Sequence, residues 1–243
     1  RELASVTRRR RWALAGLAFV ISRALARALR LDRASETALF VCTALGNTSF
    51  LGFTLCQALF GESSLPFATV YDQLGSFLLL CLLLPLAIAR AVGGARPTPL
   101  EVAKRVVTFP PFFALVAALL PWSQPAWFGD VLQMLGNALV PCAMFAVGLR
   151  LRITPPKQTG AFAAGLLVKL AVMPLCAYGL ARALGAPPNV LRVAVIESAM
   201  PAMISAGAAL MAVGIAAELT AALVGWGIIA SLLTTSLWAQ FLR

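Results

Sequence analysis

Residues Thr37–Gly61 read TALFVCTALGNTSFLGFTLCQALFG, a charge-free run with Gly46-Asn47-Thr48-Ser49 at its centre. Crossing roughly 30 Å of hydrocarbon takes about 20 residues of helix, so the run is long enough to span a bilayer. Its middle is not built like the middle of an ordinary helix, because Gly and Asn both weaken helical geometry. A second run, Ser198–Ala217, repeats the design with Ala199-Met-Pro-Ala-Met203. There Pro201 removes a backbone donor and interrupts the hydrogen-bond ladder.

Working outward from these two runs, similar charge-free stretches lie at Gln73–Ala89, Val106–Gly129, Val131–Leu149 and Leu219–Leu242. Two more contain charge. Trp12–Leu31 carries Arg23, Arg27 and Arg30 on one face near its end, and Gly160–Ala181 is interrupted only by Lys169. The chain thus predicts eight spans, near 12–31, 35–60, 66–89, 105–121, 129–149, 160–182, 189–213 and 218–241. Gly61-Glu-Ser-Ser-Leu-Pro66, Pro121-Trp-Ser-Gln-Pro125, Thr154-Pro-Pro-Lys157 and Gly185-Ala-Pro-Pro188 punctuate them as turns.

The whole composition agrees. Of 243 residues, 60% are hydrophobic and 12% charged, against about a quarter charged in a soluble domain. The 20 Lys+Arg outnumber 9 Asp+Glu, but they cluster between apolar runs, which marks membrane topology rather than nucleic-acid binding. With no histidine, Ser-His-Asp catalysis and His-ligated zinc are excluded. No Walker A, GxSxG or HExxH motif occurs, so no enzyme and no cofactor is expected. Cys42, Cys56, Cys81, Cys142 and Cys176 stand singly in apolar stretches, as small buried residues do, and no metal site is expected.

Basic residues fall in alternate loops. Arg23/Arg27/Arg30/Arg33, Arg90/Arg96/Lys104/Arg105 and Arg150/Arg152/Lys157 follow spans one, three and five, which places those loops in the cytoplasm of a multi-pass inner-membrane protein. Arg8-Arg9-Arg10-Arg11 falls on the opposite side of this scheme. Spans one to three resemble spans six to eight in opposite orientation, aligning Gly46 with Pro201. This is an inverted-topology repeat, the architecture of secondary carriers that bind at broken helices near the midplane. Spans four and five then lack partners, so two helices are expected ahead of residue 1 in a five-plus-five fold. The expected division is 1–91, the remainder of the first repeat; 92–104, a cytoplasmic linker; and 105–243, the second repeat.

The candidate substrate site is Gly46, Asn47, Thr48, Ser49, Pro201, Ala202 and Met203. Half-helix N-termini offer free N–H groups and a favourable dipole to an anion, and the Asn47 amide can donate to a carboxylate. Intramembrane charges cost about 2.5–3.5 kcal/mol on insertion scales, so each is a site hypothesis. Glu197, one turn before Pro201, is a candidate proton or cation carrier. Asp72 at the start of span three is either such a group or interfacial, and Lys169 either pairs with a carboxylate, caps carbonyls or meets substrate. Asn137 is read as an interhelical hydrogen-bonding residue. Tyr71, Trp122, Trp127 and Trp238 are read as interfacial anchors.

Gly46-Asn-Thr-Ser-Phe-Leu-Gly-Phe53, Ala58-Leu-Phe-Gly-Glu62, Tyr71-Asp-Gln-Leu-Gly75, Pro141-Cys-Ala-Met-Phe-Ala-Val-Gly-Leu149, Val168-Lys-Leu-Ala-Val-Met-Pro174 and Glu197-Ser-Ala-Met-Pro-Ala202 together resemble the auxin efflux carrier family. The resemblance implies ten helices in two inverted repeats, of which this chain carries the third to the tenth, and a bacterial member similar to malate permeases. It implies that Asn47 meets a substrate carboxylate where broken helices cross, that Pro201 is the second crossover proline, and that the protein is a homodimer. The implied function is alternating-access carriage of small organic anions across the cytoplasmic membrane, with a proton or sodium as coupling ion. A sodium-coupled bile-acid-symporter-like carrier, and a non-transporting sensor or fragment, are the alternatives. Neither nucleic acid nor a cofactor is an expected partner.

Overall fold

The computed structural model describes residues 2–93, 98–101, 104, 117, 125–150 and 157–242. Among them the chain is all-helical, apart from one isolated β-bridge. The helices are α1 (Glu2–Ala28), α2 (Arg33–Ala44), α3 (Phe53–Phe60), α4 (Leu65–Tyr71), α5 (Leu78–Val92), α6 (Ala126–Arg150), α7 (Thr159–Leu167), α8 (Met173–Ala183), α9 (Pro188–Ser198), α10 (Ile204–Ala212) and α11 (Ala217–Phe241). Three π-helical segments, Thr48–Gly52, Asp72–Phe77 and Val168–Val172, join α2's break to α3, α4 to α5 and α7 to α8.

By length and composition, three helices among the described residues are long and apolar enough to cross a membrane: Glu62–Val92, Thr159–Ala183 and Ala217–Phe241. The eight expected spans are therefore not all continuous helices. Span two is divided into α2 and the shorter apolar stretch Thr48–Phe60, and span seven into α9 and α10. The reason is local. Leu45 leaves the helix in an extended conformation, with φ −105° and ψ 114°, and Met203 re-enters α10 from φ −65° and ψ 123°. Pro201 bars the residue before it from comfortable helical geometry. Span one corresponds to α1, which begins earlier than expected and takes in Arg8–Arg11; span five corresponds to α6. Span four at 105–121 apart from Ala117, together with Trp122 and linker residues 94–97, 102 and 103, lies outside the described residues.

α2 starts where Asp32 accepts from the Ser35 amide at 2.9 Å, a side-chain N-cap. The Ser35 hydroxyl and, after it, this bond from the Ser35 amide hold the Asp32 carboxyl below its usual range. Arg23 reaches Glu36 at 2.7 Å and ties α1 to α2. α2 packs against α1, α7 and α11, and α9 against α8 and α4. The core these helices enclose is centred on the two breaks, and Leu45, Leu51, Met200, Ala202 and Met203 are all buried in it.

Several sequence expectations are corrected. Tyr71 is buried rather than interfacial, because the helix through it begins at Glu62 and not at residue 66. Asp72, for the same reason, lies well inside that helix and is 1% exposed. Cys142 is exposed, and Cys81 and Cys176 are half-buried, whereas Cys42 and Cys56 are buried as expected. Trp127 is exposed, whereas the half-buried Trp238 has an internal task. Pro174 has no N–H to offer the Leu170 carbonyl one turn back, and the Trp238 indole donates to that carbonyl at 3.0 Å instead. Asn137 makes no interhelical bond among the described residues. It is exposed, and Gln133, one turn earlier on α6, donates to its Oδ1 at 3.0 Å.

Candidate functional site

The two breaks meet. Gly46 and Ala202 form an antiparallel bridge, closed by Asn47 N–H to the Pro201 carbonyl at 2.8 Å and Met203 N–H to the Leu45 carbonyl at 3.0 Å. These two bonds are equivalent under a local twofold axis. They match Leu45, Gly46 and Asn47 with Pro201, Ala202 and Met203, one residue out of step with the sequence alignment of Gly46 on Pro201. The difference has a simple cause: Gly46 and Pro201 interrupt helices by different means, so similar breakers need not occupy equivalent positions. Pairing backbone to backbone satisfies groups that unwinding had left without partners, a requirement wherever water is excluded.

Each of the seven candidate substrate residues is at this crossing or one turn from it, and Gly46, Asn47, Thr48, Pro201, Ala202 and Met203 are buried. Their polar groups are not equivalent. The Thr48 hydroxyl donates to Asp72 Oδ1 at 2.5 Å and the Ser49 hydroxyl to the same oxygen at 2.8 Å. Gln73 Nε2 donates to Asp72 Oδ2 at 2.9 Å. Asp72 thus clamps the first turn after the break. Asn47 is different. It is 2% exposed, and its Nδ2 is buried without a hydrogen-bond partner among the described residues. An amide donor held in this state is costly unless something else accepts from it.

Glu197 is fully buried on α9, with its Oε1 3.7 Å from the Cys56 thiol of α3, the donor in that contact. The carboxylate lies against the backbone of Gly52. A Cβ placed there would be 2.7 Å from Glu197 Cδ, so only glycine lets the two segments approach this closely. Lys169, 4% exposed on the third π segment, donates to the Ser198 carbonyl at 3.3 Å. Of the expectations for Lys169, carbonyl capping is therefore realised. The same ammonium is 3.0 Å from where a Cβ on Gly46 would be.

Glu197, Asp72 and Lys169 are thus gathered around the crossing, and Asn137 is not, being on the exposed face of α6. Sequence reading missed the three π segments. Thr48/Ser49, Asp72 and Lys169 each belong to one, and such bulges are frequent at functional sites. The available signal was weak: Pro174, one turn past Leu170, hinted that the third could not be regular helix. Among the described residues no cluster of His, Cys, Asp and Glu could hold a metal ion.

Comparison with known proteins gives a consistent picture. The family described as "Membrane transport protein" matches residues 11–96 and 98–239. An "Uncharacterized transporter" of Methanothermobacter thermautotrophicus is 29% identical over 223 residues, covering 89% of this chain and 72% of the relative. A "Putative malonate transporter" of Rhizobium meliloti is 30% identical over 173 residues, covering 65% of this chain and 52% of the relative.

Proposed function

The chain belongs to the membrane transport protein family, the auxin efflux carriers its motifs resemble, and from that premise we propose that it is a secondary carrier of small organic anions. It works in the cytoplasmic membrane by alternating access, as a multi-pass homodimer built from two inverted repeats. The observation that carries this reading is the Asn47 amide, a buried donor without a partner among the described residues, at the point where two broken helices pair. A carboxylate oxygen is the acceptor that such a donor fits. The N-terminal ends of the Thr48–Phe60 and Ile204–Ala212 segments start beside it, and their dipoles favour the same negative charge.

In this scheme Pro201, Ala202 and Met203 form the apolar wall across from Asn47, and Asp72 positions the Asn47 turn through Thr48 and Ser49. Glu197 carries the coupling proton. The malonate in the second relative's name makes a short dicarboxylate the first substrate to try. The chain spans 72% and 52% of the two relatives it matches.

The test is Asn47→Ala in proteoliposomes supplied with labelled malonate, malate and monocarboxylates. Uptake is lost, while the melting temperature is unchanged or rises, because the substitution deletes a buried donor without a partner. Uptake equal to that of the native protein would rule out Asn47 as the substrate donor. Loss of folding together with loss of uptake would mean that the amide has a structural bond, and would refute this reading equally.

A further inference from the structure

Carriers with broken helices commonly bind their coupling cation at half-helix C-terminal ends and unwound carbonyls. The last carbonyls of a helix lack intrahelical partners and carry partial negative charge. Two such ends converge at the crossing, that of α2 at Ala44 and that of α9 at Ser198. One side chain caps the end of α9 and lies close to the residues that follow α2. Lys169 Nζ donates to the Ser198 carbonyl at 3.3 Å and lies 3.0 Å from the Cβ position of Gly46, two residues beyond the end of α2.

We infer that the Lys169 ammonium stands in for a bound sodium ion at the crossing, so that the broken helices are charge-balanced by a covalently fixed cation. Gly46 leaves it room, since a Cβ at that position would be 3.0 Å from the ammonium and would displace it by a few tenths of an ångström. The alternative role, direct contact with substrate, does not fit the space. The cavity bordered by Lys169, Cys42, Leu166 and Ala202 measures about 10 Å³ for the centre of a water-sized sphere, which is room for one water at most and not for a carboxylate. Nor would a lysine be placed here merely to fill volume. Burying an ammonium costs several kcal/mol in general unless it is compensated, and the carbonyl end of α9 supplies part of that compensation.

This inference deepens the carrier reading by fixing its ion requirement, and it leaves the proton on Glu197 as the coupling species. Its test needs no substrate. The purified protein is melted in sodium, potassium and choline chloride at equal ionic strength. The native chain melts at the same temperature in all three. Lys169→Ser removes the fixed charge and puts an oxygen ligand beside the same carbonyls. It acquires a sodium-specific rise of about 3–6 °C at a concentration ten times its dissociation constant. Lys169→Arg keeps the charge, the fold and the indifference to sodium.

A sodium-specific rise in the native chain overturns the inference, and so does a folded serine variant that ignores sodium. If the serine variant folds in no salt, the arginine variant decides: retention of fold and sodium indifference supports the inference, and their loss overturns it. Absence of malonate flux with this salt pattern intact would remove the substrate assignment and leave the fixed cation standing.

Discussion

Asp72 is the point where the structure makes its most specific energetic demand. One carboxylate oxygen accepts from both Thr48 at 2.5 Å and Ser49 at 2.8 Å, 24 and 23 residues away in sequence. The other oxygen accepts from Gln73. Truncation to Asp72→Ala leaves the buried Thr48 hydroxyl without this acceptor, and such losses cost about 1–3 kcal/mol per group in water-soluble proteins. Within membranes the measured average for a side-chain bond is nearer 0.6 kcal/mol, with a maximum near 1.7, because the unfolded chain in lipid also finds partners. The Thr48 hydroxyl is fully buried, where a lost acceptor is not replaced by water, which places its bond at the upper end. A double-mutant cycle of Asp72→Ala with Thr48→Val therefore yields a coupling of about 1–1.7 kcal/mol. Asp72→Asn is milder. It keeps an oxygen for Thr48 and Ser49, and its new amide can face Gln73 Oε1, which is buried without a partner among the described residues, once the Gln73 amide turns over. The assay is reversible unfolding of the purified protein in mixed micelles, with all four cycle members measured together. A coupling below 0.3 kcal/mol, roughly the scatter of additive sites, refutes the clamp. So would Asp72→Asn proving as damaging as Asp72→Ala.

Gly52→Ala drives a methyl to within 2.7 Å of Glu197 Cδ. The helices must part by several tenths of an ångström, lowering stability by about 1–3 kcal/mol, read as a drop in melting temperature; an unchanged value would mean that α3 and α9 do not touch here. Asp32→Ala removes the N-cap of α2 and costs about 0.5–2 kcal/mol. Because the folded carboxyl is held below its unfolded value of 3.8, its contribution is present above that value and fades as pH falls through the lower folded one. Melting curves of the native chain and the variant should converge in acid, and a difference that persists at pH 2 would contradict this account.

How far could the sequence be read? The crossing residues were legible because Gly46-Asn47 and Met200-Pro201 put helix breakers inside apolar runs, where a continuous helix is otherwise the cheapest way to satisfy the backbone. Glu197 and Lys169 stood out because charge at such depth needs a reason. The interfacial reading of Tyr71, and that of Asp72 among its two alternatives, went astray at a boundary. Glu62-Ser-Ser-Leu-Pro looks like a turn, yet Glu62–Ser64 forms a 3-10 turn that leads directly into α4, with Pro66 in the first turn of the helix, where its missing N–H costs nothing.

The sequence by itself determined that this is a membrane protein with interrupted helices, because hydropathy, charge spacing and breakers are local properties of the chain. Which breaks pair, and in what register, only the tertiary structure decided. Gly46 meets Ala202 and not Pro201; Asp72 holds Thr48 and Ser49; Lys169 caps Ser198. Those are contacts between segments far apart in sequence. They depend on helix rotation and on the extra residue that each π segment inserts, which shifts every side chain beyond it around the helix axis. No local pattern encodes that rotation, so the partners of a buried charge emerge only when the helices are packed.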